Sequence, residues 1–212
     1  MAVYDTGEET ITASDGTEVK VPYIVMEYVE GHTVRELLTD GNPVPLEEAV
    51  EIVSGVLDAL EYAHHQNLVH RDIKPGNVMI TTTGKIKVMD FGIARALSDS
   101  QATMTQTDAV VGTAQYLSPE QARGEQVDAR SDLYSAGCLL FELLTGQPPF
   151  KGDSAVAVAF QHVSQLPPLP SSIAPDIPES LDRVVMKALA KDRDERYPDA
   201  CLLYTSPSPR DA

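Results

Sequence analysis

His70-Arg71-Asp72-Ile73-Lys74-Pro75-Gly76-Asn77 and, after a short hairpin, Asp90-Phe91-Gly92 set two acids, an amide and a lysine at fixed offsets around one loop and one turn. That set of groups suits a metal-bound triphosphate. Phosphoryl transfer passes through a loose transition state with its charge on the phosphate oxygens, so its catalysis is mostly positioning and charge neutralisation. Magnesium takes hard oxygen ligands; Asp90, just after the apolar residues 86–89, offers a carboxylate, and Asn77 an amide carbonyl. Asp72 is then the group left to accept or orient the proton of an incoming hydroxyl. A carboxylate of ordinary pKa, about 3.9, is a weak base, which suits a proton that leaves late. Lys74 can reach the transferred phosphate as a point charge.

These residues need elements to hold them. Leu46, Ala49, Val50, Val53, Val56, Leu57, Leu60 and Ala63 fall on one helical stripe, with Pro45 suited to the first position and Glu47 and Glu48 to the positive end. This predicts a core helix leading into the loop. His64 and His65, being adjacent, point different ways and lack the spacing of a zinc site; His70 reads as a packed core residue supporting Phe91. Residues 2–4 and 21–28 read as two strands of a hairpin, joined by the polar stretch 7–16. The longest apolar run, 133–144, is interrupted by Gly137 and Glu142 and falls short of the ~20 residues that span a bilayer. It predicts a buried helix, capped by Asp132 and ended by Gly146 and Pro148-Pro149. Two more helices are expected at 154–163 and 181–189, separated by the Pro-rich linker 167–178.

At 212 residues, 42% hydrophobic and 23% charged, the chain can bury the core of one ordinary domain. Sixteen Lys and Arg against 32 Asp and Glu leave a net charge of −16, which argues against nucleic acid or an anionic membrane surface as partner. Two cysteines make no disulfide framework, so a reducing, cytoplasmic compartment is expected, and the polar, acidic first residues do not read as a signal peptide.

The loop resembles the protein kinase catalytic loop position for position, and Lys74 with Pro75 is its serine/threonine form. Residues 112–122, Gly-Thr-Ala-Gln-Tyr-Leu-Ser-Pro-Glu-Gln-Ala, are similar to the cytosolic kinase domains of bacterial PASTA-type receptor kinases. The resemblance implies an α+β, protein-kinase-like fold: a remnant of the β-sheet N-lobe at 1–28 and a mainly helical C-lobe at 29–200. It implies an ATP- and Mg2+-dependent Ser/Thr kinase acting on protein substrates, with Asp72, Lys74, Asn77 and Thr113 catalytic and Asn77 and Asp90 holding metal. It places Met26, Glu27, Val29 and Met79 at the nucleotide, together with Lys74, Asn77 and Asp90, although Met26 also reads as an ordinary strand residue. It pairs Glu120 with Arg196 and makes Asp132 an anchor for the loop backbone; Ser118-Pro119-Glu120 stands where the family has Ala-Pro-Glu. The polar segment 96–112 takes the place of an activation loop, with Thr105 and Thr107 as phosphorylation sites and Arg71 as the charge paired with such a phosphate. Incidental threonines in a mobile loop remain the alternative.

The sequence contains no G-x-G-x-x-G loop, no lysine in a Val-Ala-Ile-Lys-like strand and no glutamate helix to pair with it. We therefore expect a fragment whose true start lies upstream of Met1, and which binds Mg-ATP weakly and turns over negligibly by itself. Residues 201–212 carry no helical stripe and resemble translated sequencing-adaptor DNA, so they are expected to be a non-native tail. For the full-length protein the resemblance allows a homodimer and a membrane anchor. Two other readings stay open: a non-catalytic docking module of the same fold, and a small-molecule phosphotransferase. After incubation of the full-length protein with ATP, a phosphopeptide map is expected to show phosphate on Thr105 or Thr107; its absence from both refutes the assignment.

Overall fold

The computed structural model describes residues 3–91 and 112–204. β1 (Val3–Thr12) and β2 (Glu18–Met26) form an antiparallel hairpin closed at Thr12 and Glu18. The polar stretch expected to connect them is strand through Thr12, and the turn is confined to residues 13–17. Sequence pattern misses this because β2 is exposed along its whole length and β1 nearly so; no buried face imposes an alternation, and the ladder is made by the main chain.

A second sheet, ordered β3-β4-β5, joins β3 (Gly31–Thr33), β4 (Val78–Thr81) and β5 (Ile86–Val88), all antiparallel. Between β3 and β4 run the short helix α1 (Val34–Leu37) and the long α2 (Leu46–His65). Pro45 precedes α2 as its cap residue, one position earlier than expected, and Ile52 joins the buried stripe while Val50 is only half-buried.

α3 (Pro119–Arg123) is followed by α4 (Ala129–Thr145), in which every residue from Ser131 onward is buried. The cap of α4 is Asp128, whose carboxylate accepts from Arg130 N at 2.9 Å, and not Asp132. Both aspartates precede the apolar run, but Asp132 lies a turn inside the helix and is engaged elsewhere. α4 ends at Gly146 in the left-handed conformation (φ 72), where a Cβ would fall 2.2 Å from Gly41 O. At Gly137 a Cβ would meet that of Ala188 at 2.8 Å, so the glycine that interrupts the apolar run lets the later helix bearing Ala188 pack close.

α5 (Ala155–Ser164), α6 (Pro170–Ile173) inside the Pro-rich linker, α7 (Glu179–Ala188) and α8 (Ala200–Tyr204) follow among the described residues. α8 carries helix four residues into the stretch expected to have none. Leu203 is buried there and α8 packs on α2, a tertiary contact that periodicity over so few residues cannot signal. The main core is α2, α4 and α7; Ala114, Leu117, Phe150, Ala155 and Val158 form a smaller cluster under α5. Among the described residues no helix is long and apolar enough to cross a membrane.

Glu120, on α3, is tied to Arg196 by a buried bidentate pair, Nη1 to Oε1 at 2.8 Å and Nη2 to Oε2 at 2.9 Å. Burial alone would raise the Glu120 carboxyl, but hydrogen bonds from Arg196 and Ser131 and the guanidinium charge hold it at about 2. Its folded value lies below its unfolded one, so the stability it contributes is present above the unfolded pKa and lost as pH falls toward about 2. Urea denaturation at neutral pH should find Glu120→Gln less stable by about 3–5 kcal/mol, the cost of leaving Arg196 buried without its counterion. Between about pH 4.5 and about 2 the variant should lose less stability than the parent.

Candidate active site

α2 hands the chain into residues 66–77, which end in a 3-10 turn (Pro75–Asn77) immediately before β4. The loop is fastened to α4 through Asp132, 1% exposed, whose Oδ1 accepts from Arg71 N at 2.7 Å and Oδ2 from His70 N at 2.8 Å. These bonds hold Arg71 in the left-handed region, at φ 69, directly before Asp72. His70 is buried, its ring 4.6 Å from that of Phe91; Nδ1 accepts from Asp72 N at 3.2 Å and Nε2 donates to Met89 O at 2.8 Å. It is the supporting core residue that the sequence suggests.

Asp72 Oδ2 accepts from Lys74 Nζ at 2.7 Å and from Asn77 Nδ2 at 3.0 Å. Asn77 Nδ2 also donates to Asp72 O at 2.8 Å, and Lys74 Nζ lies 3.3 Å from Thr113 Oγ1. Asp72, Lys74, Asn77 and Thr113 are thus joined by direct hydrogen bonds from two separate parts of the chain. Asp90 is brought in through the backbone: Met89 N donates to Asn77 O at 2.8 Å, and Asp90 follows with φ 53. With its amide nitrogen spent on Asp72, Asn77 keeps Oδ1 as an acceptor.

Of the residues assigned to the nucleotide, Met26 closes β2 and Glu27 makes an ion pair with Lys87 of β5. Met79 lies opposite Thr33 and Lys87 in the β3-β4-β5 sheet, and Val29 is half-buried in the connection from β2 to β3. Gly92, Thr105 and Thr107 lie outside the described residues, and with them the phosphate pairing expected of Arg71.

The family described as the protein kinase domain matches residues 11–204. The chain belongs to that family. A probable serine/threonine-protein kinase of Streptomyces coelicolor is 62% identical over 200 residues, 94% of this chain and 29% of that protein. Probable serine/threonine-protein kinase PknB of Bifidobacterium longum is 57% identical over 203 residues (96% and 29%), and the PknB of Mycobacterium tuberculosis strain H37Rv 53% over 200 (94% and 31%). The chain spans about three-tenths of the length of these curated relatives.

Two residues of this protein kinase domain escape sequence reasoning. His64 donates from Nε2 to Asp132 Oδ2 at 2.8 Å, while His65 turns away to Glu61 O, so only the first reaches the site. Gln121 donates from Nε2 to Arg71 O at 2.7 Å. The Ser118-x-x-Gln121 spacing could be read as a capping box, but nothing local points Gln121 at a loop 50 residues away or His64 at a helix residue 68 away. Asp132→Asn replaces an acceptor by a donor against one of three inward-pointing N–H groups. Chemical denaturation should find it less stable by about 1.5–3 kcal/mol, the range for a hydrogen bond to a charged group.

Proposed function

We propose that the full-length protein is a serine/threonine protein kinase that moves the γ-phosphoryl group of ATP to protein hydroxyls. The observation that carries this is the bonded set Asp72, Lys74, Asn77 and Thr113 with Asp90 beside it, in a chain of the protein kinase domain family. In the proposed step the substrate hydroxyl oxygen attacks the γ-phosphorus, the bond to the β-bridging oxygen breaks, ADP leaves and the hydroxyl proton goes to Asp72. Lys74 and Asn77 hold Asp72 Oδ2 and so fix the carboxylate's rotation, giving Oδ1 to the hydroxyl. Lys74 also faces charge on the transferred group, and Thr113 fixes the lysine.

The donor set fits magnesium: the Asp90 carboxylate and the Asn77 amide oxygen are hard ligands. Magnesium keeps several waters and is commonly bound through one or two carboxylates together with substrate phosphates, which such a pair matches. When bound, magnesium supplies positive charge against the β- and γ-phosphates. Met26, Glu27, Val29 and Met79 take the adenine end, and Arg71 pairs with phosphate on Thr105 or Thr107.

The same reading divides the chain into an N-lobe remnant at 1–28 and a helical C-lobe at 29–200, with α8 running on to Tyr204. It makes proteins and ATP the substrates, allows a homodimer of the full-length protein and puts this domain in the cytosol beside any membrane anchor. Assayed for phosphate transfer from radiolabelled ATP to a protein acceptor, Asp72→Asn in the full-length protein should lower kcat by about 10²–10⁴ with little change in fold. The 212-residue chain by itself should turn over negligibly. Parental activity in the variant would overturn the assignment of the base.

A further inference from the structure

The helix cap at Ser118 and Gln121 does more than its spacing requires. Ser118 Oγ accepts from Gln121 N at 3.3 Å, and Gln121 Oε1 accepts from Ser118 N at 3.0 Å, which completes a capping box at the start of α3. The bond from Ser118 N to Oε1 fixes which way the Gln121 carboxamide faces, and its Nε2 then donates to Arg71 O at 2.7 Å, on the catalytic loop.

Arg71 sits at φ 69, a region that L residues with a Cβ adopt only under constraint. Its N–H is held by Asp132 Oδ1, and its carbonyl by Gln121. The carbonyl of Arg71 and the N–H of Asp72 belong to one planar peptide. Gln121 grips the oxygen of that plane and His70 Nδ1 its nitrogen, so the plane cannot rotate without breaking one bond or the other. The plane leads directly into the Cα of Asp72 and so sets the direction from which the carboxylate leaves the backbone.

We propose that Gln121 is a positioning residue for Asp72, acting through the Arg71 carbonyl. This rests on the kinase reading above and extends it: residues 113–121 fasten to the catalytic loop at two points, Thr113 on Lys74 and Gln121 on Arg71.

Gln121→Glu separates the clamp from the cap. Glutamate serves equally as the third residue of a capping box, so the cap survives, but its oxygens cannot donate to Arg71 O. In the full-length protein kcat should fall about tenfold, the worth of one hydrogen bond at a positioned group, with KM for ATP and acceptor within about twofold. Ser118→Ala, which removes the hydroxyl half of the cap and leaves the Gln121 carboxamide in place, should lower thermal stability and keep kcat within about twofold. Hydrogen exchange at the Arg71 and Asp72 amides reads the clamp without turnover. It should quicken about tenfold in Gln121→Glu and stay unchanged in Ser118→Ala. Unchanged exchange in Gln121→Glu overturns the proposal, as does an equal loss of kcat in both variants. A parent protein that transfers no phosphate while the exchange result holds overturns the kinase reading and leaves the clamp standing.

Discussion

One buried carboxylate sets the frame for this domain. Asp132 is enclosed by protein and accepts three hydrogen bonds, from His70 N, Arg71 N and His64 Nε2. A carboxylate out of water is costly unless its lone pairs are met, and two backbone N–H groups in an irregular loop are costly for the same reason. Each satisfies the other. The loop therefore cannot shift relative to α4 without exposing an unsatisfied group on both sides. α4 itself is gripped by α2 and α7, with Gly137 allowing the close approach. Rigid apolar packing is passed on, through one side chain, to the residues of the candidate site.

Three described residues other than glycine have positive φ: Asn67, Arg71 and Asp90. The last two adjoin or form the candidate site. Backbone held in a sparsely populated region persists only where its surroundings over-determine it. For Arg71 the surroundings are Asp132 and Gln121. For Asp90 they act on the preceding residue: Met89 donates its N–H to Asn77 O and accepts from His70 Nε2 through its carbonyl. His70 thus bonds both segments at once, accepting from the Asp72 N–H on one ring nitrogen and donating a hydrogen bond to Met89 O from the other. The proposed base and the proposed metal-holding turn share one buried ring.

The candidate site was the part of the sequence with the clearest local pattern. Phosphate chemistry needs particular residue types at fixed offsets within a short loop, so residues 70–77 can be read without knowing where the rest of the chain goes. The long helices announce themselves through burial: α2 by its stripe, α4 by an apolar run. What could not be read has the opposite character. The extra length of β1 is exposed and polar. The choice of Asp128 over Asp132 as cap depends on what else Asp132 can reach, and the contacts of His64 and Gln121 cross 68 and 50 residues. Such pairs leave no periodic trace, because each is set by the packing of two whole elements.

α4 also explains why so apolar a helix carries polar side chains at all. Asp132, Ser135 and Glu142 recur at intervals of three and seven, which puts them on one face. Asp132 takes the catalytic loop. Ser135 donates to Tyr116 O at 2.7 Å, and Glu142 accepts from the Tyr116 hydroxyl. Arg35 of α1 reaches the same tyrosine at 2.8 Å. Glu142 and Glu120 are both deeply buried carboxylates, yet their acidities move in opposite directions. Burial raises Glu142, whose partners are a hydroxyl and a half-exposed arginine, whereas burial of Glu120 is outweighed by the enclosed, bidentate Arg196. A single polar stripe on a buried helix therefore fixes both the loop bearing Asp72 and the segment bearing Thr113. Because the two are referred to one rigid element, the Lys74–Thr113 contact between them can be held to hydrogen-bond distance by side chains that are themselves far from it.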